Sequence, residues 1–541
     1  MKVRIVQMDS KVGDFSGNLA RMRKALEASA PDELVIFPEC CVCGYPAQDL
    51  LDYSSFAERA KEASMELIRD FPKHSFVFGS VERSLSTGRP CRNAAYFVRE
   101  GELVATYFKR LLPTYDVFDE DRFFEAGREP CVVEFQGEKI GLSICEDIWN
   151  HDVGASLHNR YSQDPLGDLR EKASIFVNLS ASPFESAKVQ KKREMLKSIA
   201  VKYSKPLIYA NAVGANDSLI FDGRSYFLSA KGEIAQQAKA FEEDEIVFDT
   251  KDDKPSLELK SPSESSDIYD ALVLGIRDYC RKTGMNRAFV GLSGGIDSAV
   301  TASLTMDALG ASNLTLVMMP SRYTSQASNE DALYFAKKTQ APLHIIVIEE
   351  MFEAAKKSLQ MAFQGMKEDL TEQNLQSRVR GLLIMALSNK FGGLVMSTGN
   401  KSELAVGYCT LYGDMNGALC PLSDVYKTQV YDLGREANRR QERIAERVFT
   451  RAPSAELQFD QTDQDDLPPY ETLDRILKSL VEGFRSEADL VADGFEPDQV
   501  RQVLELVRKS EFKRYQMPMG LKVSSKAFGL GRRFPLVHSF D

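Results

Sequence analysis

The sequence predicts two consecutive α/β domains, and three observations carry that expectation. Its 541 residues, 43% of them hydrophobic, exceed what one core organises, because single cores stop growing beyond roughly 250 to 300 residues. Short β-branched and aromatic runs alternate with longer helix-like stretches, the pattern that lays helices against a sheet. Between about 250 and 266 this periodicity gives way to TKDDKPSLELKSPSESS, rich in charge, Ser and Pro. The expected organisation is a first domain over 1–250, a linker over 251–266 and a second domain over 267–541.

In the first domain the strand-like runs are VRIVQM, ELVIFPE, SFVFGSVE, AAYFVRE, KIGLSICED, ASIFVNLSAS and PLIYANAV, with helix-like stretches at 18–28 and 56–68. Strands buried on at least one face and interleaved with helices predict an α/β sandwich. After the linker the order is helix (268–283), strand (287–292), tight Gly loop, helix (298–309) and strand (314–319). That order begins a doubly wound parallel sheet. Beyond residue 459 a polar, Pro-containing loop leads into helices that end in a basic stretch.

Composition excludes several classes. With 68 Lys and Arg against 79 Asp and Glu, the net charge of -11 offers no overall surface for a polyanion. The N-terminal MKVRIVQMDSKVGDFSGN lacks the apolar core of a signal peptide, and no run of about 18 apolar residues occurs. A cytoplasmic protein is expected, with neither nucleic acid nor membrane as partner. Nine irregularly spaced Cys give no disulfide framework, and five His argue against a His-based metal site or triad.

The sharpest motif is AFVGLSGGIDSA at 288–299, where a strand runs through a Gly-rich loop into a helix. Gly294 and Gly295 permit close backbone approach, the hydroxyls of Ser293 and Ser298 can bond to phosphate oxygens, and free N–H groups at the helix start complete an anion cradle. It lacks the Lys-Ser or Lys-Thr ending of a P-loop. Taken alone it is also compatible with a βα turn that binds nothing. The SGGxDS string resembles that of the PP-loop ATP pyrophosphatases, which implies ATP cleavage between the α and β phosphates, with Gly291, Leu292, Ser293, Gly294, Gly295, Ile296, Asp297 and Ser298 forming the ATP loop.

The substrate is narrowed by EQNLQSRVRGLLIMALSNK at 372–390, GLVMSTGNKSELAVGYCTLYGD at 393–414 and LSDVYKTQV at 422–430. Residue by residue, Asn374 also reads as a helix N-cap, Arg378 and Arg380 as a solvated helix face, and Glu403 as a partner for Lys401. In this order the segments resemble the synthetase domain of the NAD synthetase family. The resemblance implies that Thr398 and Lys427 contact ATP and that Asn374, Arg378, Glu403 and Lys513 contact deamido-NAD (nicotinate adenine dinucleotide). It also implies that Asp297 and Glu403 ligate Mg2+, which needs few protein carboxylates when phosphates supply the remaining oxygens. Ser397 departs from the family's usual Gly before TGNKSE, a small-for-small change.

Three elements of the first domain carry reactive groups: Glu39 in LVIFPECCVCGYP, Lys109 in ATYFKRLLPTYDVFDEDRFF and Cys145 in KIGLSICEDIW. A Cys nucleophile needs a base, and the tetrahedral intermediate on an amide needs a cation or dipoles at its oxyanion. By itself Cys145 reads as a small core residue. The triplet is similar to the Glu-Lys-Cys centre of the nitrilase superfamily, over essentially 1–249, which implies an α-β-β-α sandwich. It makes Glu39 the general base, Lys109 the oxyanion-stabilising cation and Cys145 the nucleophile, with Glu120 as an auxiliary carboxylate. It also implies that Tyr45, Tyr115, Glu146, Ser182 and Lys188 hold glutamine; some relatives have Arg at the Lys188 position, and bidentate clamping would be lost here. Trp149 either walls the pocket or packs.

Together the two resemblances imply ATP-dependent amidation of deamido-NAD to NAD, with ammonia from glutamine and with AMP, pyrophosphate and glutamate as products. They imply a protected passage for the ammonia, whose lining no residue identifies, and a homo-oligomer of two or more chains. Two other readings are another PP-loop glutamine amidotransferase and a nucleotide-sensing domain that regulates a simple amidase.

Overall fold

A computed structural model describes residues 1–85, 87–151, 161–252, 257 and 263–538, so most of the expected linker at 251–266 lies outside the described residues. The chain divides into two units, Met1–Ser261 and Pro262–Asp541.

In the first unit, side chains two apart along a strand share a face, and that alternation builds the core. Strand Lys2–Gln7 points Val3 and Ile5 inward, Glu33–Ile36 points Leu34 and Ile36, and Ile175–Ser180 points Ile175, Val177 and Leu179. These rows form one apolar layer between two six-stranded sheets. In order across the first sheet lie Asp244–Asp249, Lys2–Gln7, Glu33–Ile36, Ser75–Arg83, Cys91–Arg99 and Glu102–Phe108. The second holds Ile234–Gln237, Tyr226–Leu228, Leu207–Asn211, Ile175–Ser180, Glu138–Ile144 and Cys131–Phe135. Each contains three parallel neighbours flanked by antiparallel strands.

The opposite faces are apolar as well. Val35, Phe37, Phe76 and Phe78 pack under helices Phe15–Glu27 and Ser54–Asp70, while Phe176, Leu207, Tyr209 and Tyr226 pack beneath Lys188–Tyr203. Helix, sheet, sheet and helix thus stack as the α-β-β-α sandwich. The first helix starts ahead of the expected residue 18 because the Asp14 carboxylate accepts from the Gly17 amide at 3.0 Å and caps it.

The second unit carries one parallel sheet, ordered Leu343–Ile345, Leu314–Met318, Ala288–Gly291, Leu394–Met396, Leu419–Cys420 and Met519–Gly520. Counted along this unit the order is 3-2-1-4-5-6, the doubly wound arrangement. Its direction reverses between Ala288–Gly291 and Leu394–Met396, and ligands of such sheets bind outside the carboxyl ends at that reversal. Those two ends run into 292–298 and 397–400, the two segments with the densest motif content. The tail forms the expected helices, Tyr470–Val481, Glu487–Ala492 and Pro497–Lys509, and their apolar faces share a core with helix Lys401–Val406. The edge strand Met519–Gly520 follows them and was not expected. No helix among the described residues is long and apolar enough to cross a membrane.

Candidate active sites

In the first unit three strand exits converge. Glu39 lies just past Glu33–Ile36, Lys109 follows Glu102–Phe108 and Cys145 follows Glu138–Ile144. All three are buried. The Lys109 ammonium donates to Glu39 Oε1 at 2.9 Å and to Glu120 Oε1 at 2.8 Å. Glu39 also accepts from Asn93 Nδ2 at 2.7 Å and from the Ala181 amide at 2.8 Å, and the Tyr45 hydroxyl donates to Glu120 at 2.8 Å. Burial disfavours the Lys109 ammonium, but Glu120 and Glu39 outweigh it and hold its pKa well above the ordinary lysine range. Burial pushes the Glu120 carboxyl up to about 7, against the pull of Lys109.

Burial, then the Glu39 charge, keeps the Cys145 thiol well above its usual pKa, with Lys109 opposing. A neutral thiol in such a place needs a base before it can attack, and Glu39 is the carboxylate that acts on it most strongly. Cys145 also has φ +39°, a left-handed conformation uncommon for any residue but Gly. Strain of this kind persists only where the surroundings over-determine it.

The residues expected to hold glutamine lie around this cluster. Both Glu146 oxygens accept from the Tyr115 hydroxyl, at 3.0 and 3.1 Å, and Oε1 accepts from Tyr161 at 3.0 Å. Burial raises the Glu146 carboxyl, and Lys109 and Lys188 counter it. The Lys188 ammonium sits 4.3 Å from the centre of the Trp149 ring, a cation–π contact, so Trp149 packs on Lys188. The Ser182 amide donates to Asn211 Oδ1 at 3.0 Å. Asn93, Tyr161 and Asn211 were not anticipated. For Asn211 the available signal was an Asn inside the strand-like run PLIYANAV, where it is disfavoured and, once buried, must be hydrogen-bonded; Asn93 stands just before AAYFVRE, and Tyr161 carried no such signal.

In the second unit Gly294 adopts φ +85°, and a Cβ there would stand 2.1 Å from the Ser328 carbonyl oxygen. Gly294→Ala is therefore expected to displace the loop, lowering stability by more than about 1 kcal/mol and weakening ATP binding, as read by thermal unfolding and nucleotide titration. Helix Ile296–Leu309 starts at Gly295 with no side-chain cap, which leaves amide donors available to an anion. The Ser293 and Ser298 hydroxyls lie 3.1 Å apart beside them.

Behind the loop, the Lys427 ammonium bridges Asp297 Oδ2 at 2.5 Å and Glu403 Oε1 at 3.0 Å, and Asn400 Nδ2 donates to Asp297 Oδ1 at 2.8 Å. Burial pushes the Glu403 carboxyl up to about 8, Lys427 opposes this, and Asp297 and Asp463 add to it. Two carboxylates share one ammonium here, so the group carries a negative charge for a further cation only with Glu403 ionised, above about pH 8. All the candidate residues of this unit except Gly294 and Arg378 line a cavity of about 830 Å³. Arg378 is exposed and donates to the Leu411 carbonyl at 3.2 Å, while Arg380 lines the cavity and donates to the Met319 carbonyl at 3.0 Å. Burial lowers the Arg380 pKa to about 10, so this arginine is not on a solvated face.

Two of the simpler readings also change. Asp369, not Asn374, caps helix Leu370–Phe391, and Asn374 accepts from Thr410 Oγ1 at 2.8 Å. Glu403 pairs with Lys427, whereas Lys401 turns away into a buried network with Asp424 at 2.9 Å and Glu482 at 3.1 Å. Lys401→Met would strand both carboxylates, and the expected cost is about 3–5 kcal/mol, read by thermal unfolding. Lys513 donates to the carbonyls of Gly407 and Cys409, each at 2.7 Å. The Ser397 hydroxyl donates to the Asp414 carbonyl at 2.7 Å, an anchor that Gly cannot supply.

The carbon-nitrogen hydrolase family matches residues 2–252, and the NAD synthase family matches residues 268–518. A hydrolase of C–N bonds joined to a nucleotide-loop synthetase defines the class: a carbon–nitrogen ligase with glutamine as amido donor. Two curated relatives, from Synechocystis sp. and Acinetobacter baylyi, are each 41% identical, covering 99% and 100% of this chain and 99% and 98% of their own lengths, and both are glutamine-dependent NAD(+) synthetases. The solved structure of the Acinetobacter baumannii glutamine-dependent NAD+ synthetase with ADP is 38% identical, with a TM-score of 0.78 over 99% of this chain and 98% of that one. The chain belongs to the glutamine-dependent NAD(+) synthetases.

Proposed function

We propose that the chain amidates deamido-NAD to NAD, with Cys145 releasing ammonia from glutamine and the loop at 291–298 organising ATP. In the first unit Glu39 takes the thiol proton as the Cys145 sulfur attacks the glutamine carboxamide. The oxyanion forms beside the Lys109 ammonium, and Glu39 returns the proton to the departing nitrogen. Water then hydrolyses the γ-glutamyl thioester to glutamate. Tyr45 and Tyr115 wall the pocket, Glu146 meets the substrate ammonium, and Lys188 with Ser182 meets its carboxylate.

In the second unit the nicotinate carboxylate of deamido-NAD attacks the α-phosphate of ATP, and pyrophosphate leaves into the cradle of Ser293, Ser298 and the helix amides. Carboxylate oxygen is a poor leaving group, so the acyl adenylate is what lets ammonia displace AMP and form the amide. Lys427 and Thr398 position the nucleotide, while Asn374, Glu403 and Lys513 face the dinucleotide. Arg378, exposed and outside the cavity lining, is assigned to the same dinucleotide. With Glu403 ionised, Asp297 and Glu403 would hold Mg2+, which would supply charge compensation for the leaving pyrophosphate.

The observation that supports this reading is that one chain carries, in separate units, a buried Cys-Lys-Glu cluster and an uncapped anion-binding helix start backed by Lys427. The reaction is read as cytoplasmic, and the working assembly as a homo-oligomer of two or more chains. A product assay with ATP, deamido-NAD and either glutamine or ammonium tests it: NAD, AMP and pyrophosphate are expected from both nitrogen sources. ATP binding without AMP formation would favour a nucleotide sensor instead.

A further inference from the structure

We infer that Asp147 is the positioning residue of the amidase site, a single buried carboxylate that fixes the Lys109 segment and the Cys145 turn in mutual register. The inference rests on the reading of Cys145 and Lys109 as reacting groups. Asp147 is fully buried, and its two oxygens accept four hydrogen bonds. Oδ1 takes the amides of Arg110 at 3.1 Å and Leu111 at 2.9 Å, the two residues directly after Lys109. Oδ2 takes the Tyr107 hydroxyl at 2.8 Å and the Ile144 amide at 2.8 Å. Tyr107 is two residues before Lys109, and Ile144 directly precedes Cys145.

The donors therefore flank both groups, and they come from different sheets. Glu102–Phe108 edges the first sheet and Glu138–Ile144 belongs to the second, so the main-chain ladders of neither sheet can set the separation of Lys109 from Cys145. The bond from the Ile144 amide to the Asp147 side chain, three residues on, also closes the turn whose middle holds Cys145 at φ +39°. A left-handed cysteine needs such local over-determination. The Lys109 ammonium is fixed by Glu39 and Glu120, and Asp147 anchors the backbone behind it. Asparagine would keep the shape but offer one acceptor oxygen to donors that now use two, and its NH2 would face amide hydrogens.

The test uses the full chain, with glutamine and ammonium as alternative nitrogen sources. For Asp147→Asn, kcat with glutamine should fall about 100-fold, the penalty of a displacement near 1 Å. KM for glutamine should rise by less than kcat falls, because of the glutamine contacts only Glu146 lies in the displaced turn, while Tyr45, Tyr115, Ser182 and Lys188 lie outside it. Ammonium-supported NAD formation, made in the other unit, should be unaffected. Tyr107→Phe removes one of the four bonds and should lower kcat about tenfold with KM unchanged. If Asp147→Asn does not fold, Tyr107→Phe decides alone. A glutamine kcat within about twofold of wild type in the variants that fold, or a loss accompanied by a proportionate rise in KM, overturns the inference. Failure of the underlying reading looks different: Cys145→Ala would then retain glutamine-supported synthesis.

Discussion

Cys145→Ala is expected to lose glutamine-supported NAD formation by a factor on the order of 10⁴ or more while ammonium-supported formation is retained. The first half follows from chemistry. Without a sulfur no thioester forms, and Glu39 and Lys109, already hydrogen-bonded to each other at 2.9 Å, have no nucleophile to serve. The second half follows from architecture. The chain splits into two units, and the cavity of about 830 Å³ belongs to the second. Ammonia from solution replaces what Cys145 would have released. Steady-state rates with each nitrogen source check this, and equal loss of both would remove the division of labour from the account.

Asp297→Ala is expected to behave in the opposite way, lowering NAD formation and pyrophosphate release with both nitrogen sources. The carboxylate is the 2.5 Å partner of Lys427 and the 2.8 Å acceptor of Asn400. Its removal frees the ammonium to collapse onto Glu403 and withdraws one of the two carboxylates proposed to hold Mg2+. Loss of a preorganised electrostatic group at a transferring phosphate costs about 10²–10³ in kcat. Glutamine hydrolysis measured alone should persist, since no group of the first unit is altered. Pyrophosphate release at the wild-type rate would count against the loop assignment.

What was legible in the sequence differed from what was not for physical reasons. Strands such as Lys2–Gln7 and Ile175–Ser180 declare themselves because a buried sheet face imposes alternation. Leu419–Cys420 and Met519–Gly520 are two residues each, too short for any period. Motif residues were legible as types but not as directions. Arg378 and Arg380 are two apart, hence on different sides of a helix, and deciding which enters the cavity needs the helix phase. The apolar run GLLIMAL blurs that phase, with Leu382 61% exposed and Ile384 buried. Lys401 sits within TGNKSE yet points away from the cavity that Thr398 and Glu403 line. Asp147 lies inside CED, where Cys145 draws the eye, and its role emerges only once two distant strand ends meet at one carboxylate.

The most direct test of the account follows the nitrogen itself. Glutamine carrying a heavy-nitrogen label at its amide is supplied with ATP, deamido-NAD and unlabelled ammonium, and the NAD formed is weighed by mass spectrometry. The wild-type chain is predicted to place the label in the NAD amide, and Cys145→Ala to make NAD from the ammonium without label. Unlabelled NAD from the wild-type chain, or labelled NAD from Cys145→Ala, would contradict the account.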